Sequence, residues 1–106
     1  MIQSGIIELG GGAADSPDWT LNVPGPEGSE GGAPRTSRSL DIPFKMPFEL
    51  PPRIIVALAG IDAEHQFNLR VTVSAEEVQA EEFNIRVTTF GDSLIYSVLV
   101  SWIAHD

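Results

Sequence analysis

The stretch Phe83-Asn-Ile-Arg-Val-Thr-Thr-Phe-Gly-Asp-Ser-Leu-Ile-Tyr-Ser-Val-Leu-Val-Ser-Trp-Ile103 decides the fold class. Phe83, Ile85 and Val87 alternate with Asn84, Arg86 and Thr88, the period of two that gives a strand one apolar and one wetted face. Beyond Gly91-Asp92 the alternation resumes, with Tyr96, Val98, Val100 and Trp102 on one side and Ser97 and Ser101 among the residues on the other. Gly-Asp between two such runs is a hairpin signal. Pairing Phe90 with Ser93 sets Val87 opposite Tyr96, Ile85 opposite Val98 and Phe83 opposite Val100, so turn chemistry and apolar pattern predict the same register.

Working outward, the same period recurs. Phe67, Leu69, Val71 and Val73 alternate with Asn68, Arg70, Thr72 and Ser74. In Arg38 to Phe44 the even positions Leu40, Ile42 and Phe44 are apolar, and Pro43 on the polar face suits an edge strand. Ile2 to Leu9, Trp19 to Val23 and Arg53 to Ile61 read as further strands. Ala75 to Glu82 is rich in helix formers but only about two turns long with one large apolar residue, so it reads as a connection in which a short helical turn fits. Six or seven short strands without a convincing helix predict an all-β, antiparallel β-sandwich. A chain of 106 residues holds one such core, a single domain over residues 1–106. Pro24 to Pro34, with three prolines and four glycines, is an exposed loop too long to be a simple connection.

Charge and composition narrow the function. Fifteen acids against six bases give a net charge of -9 with no basic run, which argues against nucleic acid and anionic membrane surfaces as partners. The absence of cysteine removes disulfides, thiolate metal sites and cysteine nucleophiles. The longest apolar run, Ile54 to Ala59, is far below the roughly 20 residues of a spanning helix, so no membrane insertion is expected, and Met1 opens no export-signal pattern.

Ile54, Val56 and Leu58 lie on one side of their strand, and Ile55, Ala57, Ala59 and Ile61 on the other. A sandwich core covers only one face of a sheet. The second face is covered either by a long loop or by another subunit, whose close approach the small Ala57 and Ala59 permit.

No catalytic constellation assembles. His65 and His105 have no partner at metal spacing, and Glu76-Glu77 and Glu81-Glu82 read as solvated charge. No nucleophile elbow, phosphate loop or calcium loop occurs, so neither an enzyme nor a metal or cofactor site is expected. Binding remains. Arg70 on a wetted strand face, Phe90 before the turn and Tyr96 at the loop end of its strand suit a saccharide, whose apolar face stacks on a ring while its hydroxyls meet a guanidinium. Each has a plainer reading, as a surface ion-pair member, a turn cover and rim core respectively.

The order Ile2-Gln-Ser-Gly5, Trp19, Ile42-Pro-Phe44, Pro51-Pro52, Ile61-Asp62, Asn68-Leu-Arg-Val71, Phe83 and Tyr96-Ser-Val-Leu-Val-Ser-Trp102-Ile resembles the H-type lectin family, to which snail agglutinins and the C-terminal domains of slime-mould discoidins belong. The resemblance implies a six-stranded sandwich, a homotrimer or a multiple of one, and galactose or N-acetylgalactosamine bound between subunits, in an extracellular or cell-surface setting. It carries the family's arginine onto Arg70, its tyrosine onto Tyr96 and its hairpin aromatic onto Phe90, while Gly91 replaces the adjacent histidine. The family's acidic loop residue belongs in Pro24 to Pro34. A gapless count lands on Ala33, and a shift brings Glu27 or Glu30, with Gly31 beside the latter. Leu9 and Val87 stand where the snail protein has a disulfide. A structural trimerisation module of a larger surface or fibre protein, without sugar binding, is the alternative.

Overall fold

The structure is a computed structural model that describes residues 1–25, 32–64 and 69–106. Seven strands run in the order β1 (Ile2–Gly10), β2 (Pro34–Arg38), β3 (Ile42–Pro43), β4 (Arg53–Ala63), β5 (Val71–Glu76), β6 (Glu82–Phe90) and β7 (Ile95–His105). They form two antiparallel sheets packed face to face, one ordered β1-β7-β4 and the other built on β6, which pairs with β2, β3 and β5. The expected class holds, with seven strands rather than six.

The alternating residues of β6 and β7 supply the centre of the core. Phe83, Ile85 and Val87 meet Val98, Val100, Trp102 and Ala104, and every one is buried. Phe83 stacks on Phe44 at 5.5 Å and takes the edge of Trp102 at 5.1 Å, geometry that adds to the roughly 1.5–3 kcal/mol of burying such a ring. Leu9 and Val87 both lie fully buried in this cluster.

Four expectations are corrected. The Gly91-Asp92 turn does not make a hairpin. Ser93 N–H reaches Phe90 C=O at 3.3 Å, but the chain then crosses from one sheet to the other, so β6 and β7 face each other across the core. Arg38 to Phe44 is not one strand. Ser39 interrupts it by accepting the Ile85 N–H on its hydroxyl at 2.9 Å and donating that hydroxyl to Leu40 C=O, which leaves Leu40 exposed. Trp19 to Val23 is a set of turns, yet it plugs the end of the core: Trp19 Nε1 donates to Ile95 C=O at 3.0 Å and Leu21 C=O accepts from Ile95 N–H at 2.8 Å. The acids of the Ala75 to Glu82 connection are not merely solvated. Glu77, at a positive φ of 49°, accepts from Asn84 Nδ2 at 2.7 Å and pairs with Arg38 at 3.1 Å, tying β2 to β6.

Candidate functional site

The pairing of Val71 with Thr89 places the next residues outward, Arg70 and Phe90, side by side on the outer face of the four-stranded sheet. Thr89 is fully buried and its hydroxyl donates to Arg70 C=O at 2.7 Å, so the main chain of the arginine is held from within. The guanidinium then lies over the Phe90 ring, 4.7 Å from its centroid, and Arg70 remains exposed. This stacking leaves the planar donor edge free to meet a ligand. Gly32, with φ of 97°, passes so close that a Cβ there would sit 3.4 Å from Arg70 Nη2. Gly91 is buried at φ of 61° and donates its N–H to Ala33 C=O at 3.0 Å, so this position fixes the loop rather than offering a side chain. Arg35, which the sequence reading passed over, laces the corner together by donating to Val23 C=O at 2.8 Å and to Ser93 C=O. Its signal was slight: one of six bases, immediately after the glycine-proline loop.

Tyr96 lies elsewhere. The pairing between β4 and β7 shifts where Asp62 opposes Ser97 and Ala63 opposes Ile95, so Tyr96 is an extra residue in a bulge beside the end of β4. It is 39% exposed and does not continue the buried row of Val98, Val100 and Trp102. Its hydroxyl donates to Glu64 Oε2 at 3.4 Å. Partial desolvation first, then the Glu64 charge and that hydrogen bond, then Asp62, all raise the phenol's pKa above its ordinary value.

Arg70 and Phe90 thus stand together, whereas Tyr96 belongs to the opposite sheet. The outer face of that sheet carries Ile55 beside its partner Ile103, 59% and 45% exposed, with Ile6, Leu99 and Ala57 around them. The second apolar face is therefore uncovered in the single chain. Glu27, Glu30, Gly31, His65, Phe67 and Asn68 lie outside the described residues. Among the described residues no group of three or more His, Asp or Glu is placed to hold a metal ion, and His105 is the last residue of β7.

A two-sheet antiparallel sandwich with a basic and aromatic corner on its surface is the form of a binding module. The family profile of the H-type lectin domain matches residues 39–105, well over half the chain, and the chain belongs to that family. Its fold is similar to that of discoidin II of Dictyostelium discoideum, with TM-scores of 0.74 for the recombinant and 0.73 for the wild-type protein at 19% identity. Each match covers 98% of this chain and 36% or 35% of discoidin II. A protein of Fuscovulum blasticum described as ATP synthase subunits region ORF 7 is 36% identical over 74 residues, 70% of this chain and 64% of that protein. The chain thus spans about a third of discoidin II and less than two thirds of the Fuscovulum protein.

Proposed function

We propose that this chain is a non-enzymatic, multivalent carbohydrate-binding module that takes galactose or N-acetylgalactosamine-type glycans at sites formed between subunits of a homotrimer. The observation that carries the reading is the Arg70 guanidinium stacked on Phe90 at an exposed corner. Family membership supports it. The guanidinium donates to sugar hydroxyls, the exposed part of the ring takes an apolar sugar face, and Tyr96 of a neighbouring subunit closes the pocket with its phenol. The Glu30-Gly31 segment completes the proposed contacts, and Gly91 acts beneath them by fixing the loop through Ala33. The uncovered face around Ile55 and Ile103 supports association whether or not sugar binds, which keeps a purely structural trimerisation module as the second reading. A glycan array decides between them: binding confined to terminal galactose or N-acetylgalactosamine supports the first, and a stable trimer that retains no glycan leaves the second.

A further inference from the structure

β1 is an edge strand, bonded only to β7 in its sheet. Met1 C=O accepts from Asp106 N–H and Gly11 N–H donates to Tyr96 C=O, with an unbroken register between them. The odd-numbered residues of β1 therefore bond to β7, and the even-numbered ones turn N–H and C=O to the open side. Ser16 takes both groups of Gly10, accepting at 2.8 Å and donating at 2.9 Å. The main-chain groups of Ser4, Ile6 and Glu8 have no hydrogen-bond partner among the described residues. Proteins ordinarily guard such an edge with lysine, proline or a bulge. β1 has none of these across its nine residues, whereas β4, the other edge of the sheet, is broken by two register shifts.

A groove of about 820 Å³ runs along the open edge, between β1 and β3. Trp102, Ile7 and Ile42 line its apolar part, with Asp15 and Asp41 beside them. Gly5 matters here because a Cβ would stand 2.8 Å from the Trp102 ring, so only glycine lets the indole lie against this strand.

We propose that the β1 edge binds an extended partner peptide as an added strand, with alternate apolar side chains entering the groove and a basic side chain beside Asp15 and Asp41. The open groups of Ser4, Ile6 and Glu8 repeat at about 6.8 Å, twice the rise of an antiparallel strand, and match the main chain of such a peptide. Charge selects the occupant. The groove's charged side chains are Asp15, Asp41 and Lys45, with Glu8 further along the strand. At a net charge of -9, a second copy brings more acid to an edge where acids outnumber the one lysine, whereas a basic peptide neutralises it.

The probe is the capped heptapeptide Thr-Val-Thr-Val-Thr-Arg-Thr with a fluorophore, read by anisotropy and by amide hydrogen exchange on the full chain. Exchange at Ser4, Ile6 and Glu8 should slow at least tenfold when peptide saturates, with no such change along β4. Methylating alternate peptide nitrogens removes the ladder donors while keeping every side chain, and should abolish binding. Ile6→Pro should weaken binding at least tenfold without removing a bond to β7, because that N–H faces the open side. Should Ile6→Pro not fold, the methylated peptide answers on the unaltered protein. Equal binding of the methylated peptide, protection that maps elsewhere, absence of binding at millimolar peptide, or protection of Ser4, Ile6 and Glu8 by self-association in peptide-free Ile55→Asp protein would each overturn the proposal.

Discussion

Removing the Arg70 side chain separates recognition from scaffold. The side chain is exposed, and what fixes its strand is the main-chain carbonyl held by the buried Thr89 hydroxyl at 2.7 Å. Arg70→Ala deletes only the stacking on Phe90, so stability should move by no more than about 0.5–1 kcal/mol. Sugar affinity should fall far more. Charge-assisted hydrogen bonds contribute about 1.5–3 kcal/mol, or roughly a ten- to hundredfold loss at 1.4 kcal/mol per decade. Phe90→Leu keeps the guanidinium but removes its platform, and about 0.5–1 kcal/mol predicts a two- to fivefold loss. Thr89→Val does the converse. It leaves the arginine in place chemically but orphans its carbonyl, so it should cost about 1 kcal/mol of stability and loosen binding through position. Calorimetry with N-acetylgalactosamine, run beside denaturant melts of the same proteins, reads both quantities. Unchanged affinity in folded Arg70→Ala protein would falsify recognition at this corner.

Tyr96 is the chain's single tyrosine, so ultraviolet titration reports it alone, and its midpoint should lie above the ordinary phenol value and move back toward it in Glu64→Gln. Its raised folded-state pKa means that the associated stability is fully present below the ordinary value and is lost as pH climbs through the folded one. Ile55→Asp should leave the monomer folded, since the side chain is exposed there, yet convert an assembled species to monomer in light scattering because burying an unpaired charge costs several kcal/mol. Gly5→Ala forces a methyl into the Trp102 ring and should destabilise by about 1–3 kcal/mol in a urea melt; an unchanged midpoint would show that the ring moves freely. Mixing Arg70→Ala with Tyr96→Phe subunits should restore part of the sugar binding that each variant lacks alone, through sites that draw their intact residues from different chains.

The sandwich was legible because alternation marks which side of a strand meets the core, and β6 falls where that pattern puts it, while β1 and β4 fall on apolar segments that read as strands without it. The same pattern is silent about which strand sits alongside and which sits across. Phe83, Ile85 and Val87 meet the apolar row of β7 either as hairpin partners or as the facing sheet, and local residues satisfy both. The partner choice was made by distant strands: β1 and β4 bracket β7, while β2 and β5 bracket β6. Tyr96 was misplaced for a related reason. Its apparent parity with Val98 is broken by a bulge whose other half, Asp62, comes from β4. Trp19 and Leu21 show a third limit, since apolar spacing of two also arises where a turn drops side chains into a sheet end, and Leu40 keeps that spacing while staying exposed. At the candidate site the guanidinium and ring were legible as residue types, whereas the buried threonine and the Arg35 lacing depend on contacts between strands that no spacing encodes.

The placement of the two halves of the site constrains how it can work. Arg70 and Phe90 belong to the four-stranded sheet and Tyr96 to the three-stranded one, both at the end of the sandwich where the chain crosses from β6 to β7. In the proposed trimer a neighbouring chain brings its Tyr96 toward the Arg70 corner, and the apolar surface offered for docking, Ile55 with Ile103, lies on the sheet that carries Tyr96. On that proposal, burial of this face supplies the hydrophobic driving force of assembly and brings the phenol of one subunit to the guanidinium of another. In that arrangement each added subunit adds a site, so affinity for a surface bearing many glycans grows with assembly while each separate contact stays weak. The proposal therefore requires that whatever dissociates the subunits removes sugar binding without touching a single sugar contact, which ties binding to concentration as well as to sequence.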